Sequence, residues 1–277
     1  MTPDPTGARA GLARAGLGLV LLAAAWLPTS ASAQWVEEPG TGWVDLSVYH
    51  QDTRERFGAD GDIQEFLSDG HAVSTSVFVT VAAGLFSGVD AWAQVPYQRL
   101  QFDDAVRERV RSGIGDTRLY LRVKPTEHLA FSLPLAIRGG VKLPVGDFAV
   151  GSEVIPLGDG QTDWELMAEL GHSFHPFPAY VNGWIGYRWR EENEEVLRDF
   201  GDELFFLAQV GGRAGPVGLR LVAEGWDGRT PVIEGFRVPN AERAMMQVTP
   251  SVSWGVGPGE ARIGLQVPLA GRNLPAG

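Results

Sequence analysis

Residues 113–146 read GIGDTRLYLRVKPTEHLAFSLPLAIRGGVKLPVG and contain two strand-length runs around the short turn PTEH. In the first run Leu119 and Leu121 alternate with Arg118 and Arg122. Because strand side chains have period two, the leucines share one face and the arginines the other. Charges this dense rarely face a packed protein core. The stretch therefore predicts a hairpin with one face suited to lipid and the other to water.

The N-terminal residues have the pattern of an export signal. Arg9 and Arg14 precede the uncharged apolar run 17–27, which is followed by the small-x-small triplet ASA. This run is shorter than the roughly 20 residues that a spanning helix needs. We expect residues 1–33 to be a cleaved signal peptide and residues 34–277 to be the mature domain. Losing two arginines and one aspartate takes the formal net charge from −11 to −12.

The composition of the chain excludes several classes of protein. After the leader, no segment is apolar and uncharged for long enough to cross a bilayer as a helix, so membrane residence requires a closed barrel in an outer membrane. The acidic net charge of −11 argues against a nucleic-acid partner. The chain has no cysteine, which excludes disulfides, thiolate metal sites and cysteine nucleophiles.

Strand signals recur along the rest of the chain with alternating tight and long connections. Eleven candidates of about ten residues lie near 43–51, 71–83, 89–100, 115–124, 129–142, 161–174, 179–190, 202–213, 217–227, 243–255 and 261–269. Tight turns rich in glycine or proline fall at 84–88, 125–128, 175–178, 214–216 and 256–260, and long polar connections at 52–70, 101–114, 143–160, 191–201 and 228–242. Bacterial outer-membrane barrels have short periplasmic turns and long outer loops.

This rhythm predicts an all-β fold, an antiparallel transmembrane β-barrel of about 12 strands. The closing strand is not identified, because residues 270–277 would only open an outer loop. Tryptophans near strand ends predict aromatic girdles at the two membrane interfaces, with filling of a soluble core as the other interpretation. They are Trp43, Trp92, Trp164, Trp184, Trp189, Trp226 and Trp254. Pro96, Pro134 and Pro250 each need a bulge or a strand boundary, because proline cannot donate to a ladder.

Several segments resemble one outer-membrane family. Between residues 113 and 273 they are GIGDTRLYLRVKP, GVKLPVGD, LGDGQTDWELMAELGHSF, YVNGWIGYRWR and VPLAGRN, in that order. Together they resemble the outer-membrane family labelled MetA-pathway of phenol degradation. The resemblance implies a transporter-like barrel that passes small, often apolar or aromatic compounds, and it supplies no catalytic residues. The family pattern normally continues into a closing strand that ends in an aromatic residue, which the sequence after VPLAGRN does not show.

Charged residues on the inward register are the candidate lumen lining. They are Arg118, Arg122, Lys124, Arg138, Lys142, Asp163, Glu165 and Glu169, with Arg188, Arg190, Arg220 and Glu224 extending the pattern. In hairpin order Lys142 should lie near Asp163, and Arg138 near Glu165 or Glu169. One interpretation is a transverse field across a narrow aqueous passage. The other is a set of salt bridges that fills a closed lumen.

A catalytic interpretation has little support. An outer-membrane lipid hydrolase would need a nucleophile and a base, and His172-Ser173 is the candidate pair. Adjacent strand residues point to opposite faces, and His175 lies at a tight turn, so we expect no enzyme. Asp60-Gly61-Asp62 lacks the further oxygen ligands of a calcium loop, so we also expect no metal site and no cofactor.

The sequence therefore predicts an outer-membrane channel of a Gram-negative bacterium for the passive passage of small molecules. Its partners would be outer-membrane lipid, lipopolysaccharide and a small-molecule solute. A soluble periplasmic β-barrel that binds an apolar ligand is the alternative. The identity of the solute, the open or plugged state of the lumen and the oligomeric state are left open.

Overall fold

The computed structural model describes residues 18–25, 36–125, 134–148 and 154–276. In these ranges the regular structure is β-strand apart from a 3-10 turn at Leu67–Asp69. The strands are β1 (Gly18–Ala25), β2 (Gly42–Thr53), β3 (Glu55–Phe57), β4 (Ile63–Glu65), β5 (His71–Phe86), β6 (Val89–Asp103), β7 (Glu108–Ile114), β8 (Thr117–Val123), β9 (Leu135–Leu143), β10 (Asp163–Ser173), β11 (Ala179–Arg190), β12 (Arg198–Asp199), β13 (Glu203–Ala214), β14 (Val217–Gly228), β15 (Val232–Ile233), β16 (Phe236–Arg237), β17 (Ala244–Val256) and β18 (Gly259–Arg272). Over the same ranges, no helix has the length and apolar character needed to span a membrane.

The long strands pair into one closed antiparallel ring. Its order is β1, β2, β5, β6, β8, β9, β10, β11, β13, β14, β17 and β18, which pairs back with β1. The short strand β7 precedes β8 and pairs with the outer part of β6. Closure leaves no free edge, and an unpaired edge is costly wherever water cannot reach its backbone groups. The predicted antiparallel β-barrel of about twelve strands is confirmed.

The twelfth position of the ring is filled by Gly18–Ala25. This segment runs antiparallel to both β2 and β18, so those two strands run parallel to each other. The other eleven positions come from residues 42–272, in agreement with the eleven strand candidates. Gly18–Ala25 also falls inside the predicted signal peptide, whose cleavage stays a prediction.

The two rims of the barrel differ as the connections predict. Tight turns join β5 to β6, β10 to β11, β13 to β14 and β17 to β18 at the short-turn rim, whereas the predicted turn at 125–128 lies mostly outside the described residues. The opposite, long-loop rim carries the small strand pairings β3–β4 and β12–β15–β16. The chain end also lies there, because the Ala276 N–H donates to the Glu55 carbonyl at 2.9 Å.

The prolines mark irregular places in the ring. Pro96 on β6 lies where its neighbour changes from β8 to β7, and its carbonyl accepts the Gly115 N–H at 2.9 Å. Pro134 directly precedes β9. Pro250 pairs with β14, but on its β18 side the pairing is interrupted between Val248 and Ser251. A residue without an N–H interrupts the ladder on one side, which explains why the strand beside Pro96 breaks between β7 and β8.

The two faces of the wall separate apolar from charged side chains. Leu119 and Leu121 on β8 point outward and are 40% and 49% exposed. Arg122 on the same strand points inward and is 6% exposed. The register places Arg118 beside Lys142 and Arg122 beside Arg138 on the inner face. Large apolar residues continue around the outside at Val79, Val95, Leu166, Ile185, Leu204, Val210, Leu221, Val252 and Ile263, all of them exposed.

The girdle prediction is wrong for four of the seven tryptophans. Trp164, Trp189 and Trp254 are exposed on the outer face. Trp43, Trp92, Trp184 and Trp226 instead share the register of the inward residues. The rings of Trp43 and Trp92 meet edge to face at 4.8 Å between centroids. Inward tryptophans are stabilised here by rings and guanidinium groups rather than by lipid headgroups, a difference that position near a strand end does not encode.

Inward glycines lie opposite aromatic rings. Tyr120 pairs with Gly140, and a Cβ atom added to Gly140 would overlap the Tyr120 ring. A Cβ on Gly186 would likewise lie 2.5 Å from the Phe205 ring. Covering a strand glycine with a cross-strand aromatic ring keeps that ring flat against the sheet. The arrangement fits large rings into the barrel while leaving space in its middle.

Replacing Gly140 by alanine tests this packing. We expect Gly140→Ala to lower the free energy of unfolding by about 1–3 kcal/mol, the usual cost of overpacking. Gly139→Ala is the matched control, since its Cβ would point outward, where the nearest neighbour is the Glu165 carbonyl oxygen, 4.0 Å away. Urea titration of the refolded protein measures both. Equal effects of the two substitutions would contradict the packing.

Candidate functional site

A chain of ion pairs, the charge ladder, runs along the inner wall formed by β6 and β8 to β13. It begins near the short-turn rim at Asp90, which is fully buried and lies 2.5 Å from Arg122 Nη2. Arg122 also reaches Glu169 at 3.4 Å, and Glu169 binds Arg138 at 2.6 Å. Buried charges persist only when paired, so each of these groups depends on the next.

Aromatic rings surround the middle of the ladder. The guanidinium carbon of Arg138 lies 4.8 Å from the Trp92 ring centroid, 5.2 Å from that of Tyr120 and 5.1 Å from that of Trp184. The Tyr120 hydroxyl donates to Glu165 at 2.9 Å, which links this part of the ladder to the next. Cation–π contacts strengthen when they are removed from water. Arg138 is therefore held by charge and by three rings at once.

The ladder continues toward the long-loop rim through two arginines on β11. Arg188 binds Glu165 at 2.7 Å and also pairs with Glu203 on β13. Arg190 lies 2.8 Å from Glu203 and 2.8 Å from Asp159, which belongs to the loop between β9 and β10. Arg188 thus bridges two carboxylates and Arg190 three, its third being Asp163 at 3.5 Å, which suits the fixed fork of N–H donors on a guanidinium.

Lys142 ends the ladder in a nest of three carboxylates. Its ammonium lies 2.8 Å from Asp163, 2.7 Å from Asp159 and 3.3 Å from Asp116. Asp116 in turn accepts the N–H groups of Gly146 and Asp159, at 3.1 and 2.9 Å. The loop after β9 is therefore tied back onto the inner wall.

The pKa of Asp159 shows how strongly the surroundings of Lys142 favour an ionised carboxylate. Burial alone would raise the pKa of Asp159, but Lys142 and Arg190 outweigh burial and lower that pKa to about 2. A depressed carboxyl pKa contributes stability above the unfolded value of about 3.9 and loses it as pH falls through the folded value. The Asp159 contacts therefore stay charged at neutral pH and weaken only between about pH 4 and about pH 2.

Most of the predicted lining residues belong to the ladder. The structure joins Arg118, Arg122, Arg138, Lys142, Asp163, Glu165, Glu169, Arg188 and Arg190. Two others are not joined to it: Arg220 and Glu224 lie on β14, across the lumen, and neither forms an ion pair with a described residue. Glu224 instead accepts a hydrogen bond from Gln247 at 2.9 Å. Lys124 lies at the short-turn end of β8, where its N–H donates to the Gly88 carbonyl.

Four acidic members of the ladder were not among the predicted residues. Asp90 and Glu203 lie at the first positions of their strands on the inward register, so extending the period-two pattern to the strand ends would have found them. Asp116 lies within the predicted strand at 115–124 and two residues before Arg118, so the same extension would have found it. Asp159 lies in the loop between β9 and β10, where no periodic signal exists, and only the folded path of that loop brings it to Lys142.

Two adjoining cavities lie inside the barrel. The central cavity, about 380 Å³, is lined by Ser47, Tyr49, Ser76, Phe78, Gln94, Glu224 and Gln266. The aromatic cavity, about 270 Å³, lies nearer the long-loop rim and is lined mainly by Trp184, Arg188, Phe205, Glu224, Trp226, Met245 and Gln247. Glu224 borders both. An apolar cavity of about 150 Å³ already holds benzene, so each is large enough for a single ring.

The candidate catalytic pair is divided between the two faces of β10. His172 pairs with Val181 on the outer register, and Ser173 pairs with Tyr180 on the inner one. The His172 ring packs edge to face on Phe174 at 4.9 Å. Within the described ranges, no group of three or more histidine, aspartate or glutamate side chains is placed to hold a metal ion.

Comparison with known proteins gives a match in fold. No family model and no curated protein matches the chain in sequence. Among solved structures, the chain is similar to the COG4313 outer membrane channel from Pseudomonas putida F1, with a TM-score of 0.67 and 13% identity over 99% of this chain and 95% of that one. The CymD monoaromatic hydrocarbon channel aligns with a TM-score of 0.41 and 8% identity, over 91% of this chain and 86% of that one. The first likeness shows a shared fold.

A double-mutant cycle on Asp90 and Arg122 tests the ladder. Arg122→Met alone leaves the buried Asp90 without its cationic partner, which typically costs about 3–5 kcal/mol of unfolding free energy. Asp90→Asn alone leaves Arg122 with only the longer contact to Glu169, so we expect a smaller loss. The double variant removes both charges, and we expect it to recover a large part of that loss.

The exposed pair Arg272–Asp227 is the control, since Arg272→Met should cost less than about 1 kcal/mol. Urea titration with tryptophan fluorescence measures all four variants. Strictly additive losses at Asp90 and Arg122 would contradict the pairing.

Proposed function

We propose that the protein is a channel in the outer membrane of a Gram-negative bacterium, through which small molecules, apolar and aromatic ones included, pass passively. Residues 1–33 act as a signal peptide in this proposal; their removal would take β1 out of the ring and leave β2 and β18, which run parallel, as the strands that have to meet. Outer-membrane lipid lies against its outer face and lipopolysaccharide around its long-loop rim. The fold shared with the Pseudomonas putida F1 channel supports this proposal.

The outer face supports a membrane position. Leu166, Ile185 and Leu221 are between 46% and 55% exposed, and they belong to an apolar surface that encircles the barrel. Monomeric soluble proteins rarely expose apolar patches larger than a few hundred Å². Trp164 and Trp189 lie together at the long-loop end of this surface, where an interfacial aromatic residue is expected.

The two adjoining cavities, which share Glu224, are the observation that supports passage through the lumen. They follow the side of the lumen opposite most of the charge ladder and meet at Glu224. Aromatic rings and hydroxyl or amide groups line them together, which suits solutes that combine an apolar body with one polar group. The ladder fills the other side with closed ion pairs, so it acts here as a rigid wall and a source of local field.

Cell fractionation distinguishes the channel from the soluble periplasmic alternative. A channel stays with outer membranes through a carbonate wash, because its apolar surface remains in lipid. A periplasmic ligand-binding barrel would be released into the supernatant. Release of the folded protein would contradict the membrane position.

Conductance tests the passage itself. We expect the protein reconstituted in planar bilayers to give discrete current steps, and Ser76→Trp to lower them several-fold because the indole occupies the central cavity. Val79→Trp is the matched control: it lies on the same strand, three residues on, and faces outward. Current no higher than in protein-free bilayers, or equal conductance in both variants, would contradict a passage through this cavity.

A further inference from the structure

Three arginines surround one aromatic ring at the long-loop rim. Measured to the centroid of the Phe200 ring, the guanidinium carbons of Arg198, Arg243 and Arg190 lie 4.3, 4.7 and 4.8 Å away. Arg190 belongs to the inward register of β11, and Arg243 directly precedes β17. Phe200 and Arg198 thus fold over the inner side of the rim. We call Arg198, Phe200 and Arg243 the rim cluster.

The two arginines of the rim cluster lack the carboxylate partners that neutralise Arg190. Arg190 has carboxylate partners on three sides. Arg198 and Arg243 have no carboxylate within 4.0 Å, and their guanidinium groups make no hydrogen bond, within the part of the chain that the structure describes. A guanidinium group is not deprotonated in proteins, so both arginines are charged at neutral pH. Two cationic forks therefore face the mouth of the barrel with their donors unused.

The loop that carries Arg198 is held in place. Asn193 is fully buried, exchanges two backbone hydrogen bonds with Arg198 at 2.8 and 3.1 Å, and donates its side-chain N–H to the Asp159 carbonyl at 2.7 Å. Arg198 also pairs through β12 with Ile233 of the next long loop. The rim cluster thus has a fixed frame, which is what a binding site requires.

The rim cluster lies next to the aromatic cavity. The Arg243 guanidinium carbon is 5.8 Å from the Trp226 ring centroid, and Trp226 lines that cavity together with Phe205. A ligand with its anionic group on the two arginines would place its body beside these rings. Arginine forks match carboxylates in geometry, and aromatic rings favour a flat apolar body.

We propose that the rim cluster binds small carboxylates that carry an aromatic or similarly apolar body, with the carboxylate on Arg198 and Arg243 and the body in the aromatic cavity. This inference rests on the proposed channel, whose entrance the cluster would form, and it names the class of solute that this entrance selects. Neutral aromatic molecules lack the group that the two forks recognise.

Binding of benzoate and benzyl alcohol to the full-length protein in detergent tests the proposal. The two ligands have similar bodies and differ in charge. At low salt we expect benzoate to bind more tightly than benzyl alcohol. Arg198→Gln or Arg243→Gln should weaken benzoate binding about tenfold, as the loss of a charged hydrogen bond does. Neither variant should change the binding of benzyl alcohol. Arg237→Gln, an exposed arginine in the same loop as Arg243, removes an equal charge and should leave benzoate binding unchanged.

Titration calorimetry measures the affinities, and heat-modifiable gel migration checks that each variant is folded. If Arg243→Gln fails to fold, Arg198→Gln decides the test, because Arg198 is exposed and outside the barrel wall. Equal affinity for the two ligands, or equal weakening by Arg237→Gln, would overturn the carboxylate site. Charge-dependent benzoate binding by a protein that gives no conductance would refute the channel and keep the site. Conductance by a protein that does not bind benzoate in a charge-dependent way would refute the site alone.

Discussion

The alternation of side chains along closed, antiparallel strands is the constraint on which the structure depends. In such a ring each wall strand gives every second residue to the outside and the others to the lumen. Leu119, Leu121 and Arg122 are neighbours in sequence and still meet opposite environments. A charge that this alternation directs inward, out of bulk water, is stable only with a partner. The most deeply buried charges of the inner wall, such as Asp90 and Lys142, therefore have to form ion pairs.

The charge ladder satisfies that condition, and it also divides the lumen. Ion pairs and flat aromatic rings occupy the side formed by β6 and β8 to β13. The hydroxyl and amide groups of β2, β5, β17 and β18 leave space on the other side. Inward glycines such as Gly140 and Gly186 make room for rings that would otherwise project toward the axis. A barrel of twelve strands can thus be rigid on one side and retain cavities on the other.

Much of this fold follows from the sequence, because period-two patterns and turn residues act locally. The strands, their order, the inward register of Arg118 to Lys142 and the Lys142–Asp163 pair were predictable. The inward turn of Trp43, Trp92, Trp184 and Trp226 was not, since an aromatic residue suits a lipid interface and a guanidinium partner equally well. The contacts made by loop residues could not be predicted from the sequence either. Asp159 and the rim cluster depend on where long connections fold back, and the strand between β2 and β18 comes from a segment whose composition predicts a signal peptide.

Spin-label accessibility tests the two-sided wall most directly, and the absence of cysteine from the chain makes single labels simple to place. Labels at Val79→Cys and Ser76→Cys on β5 report the outer and inner faces in membranes. The account predicts that the Val79 label collides mainly with oxygen, which concentrates in hydrocarbon, and the Ser76 label mainly with a water-soluble nickel complex. The reverse pattern, or equal access of the nickel complex to both labels, would contradict it.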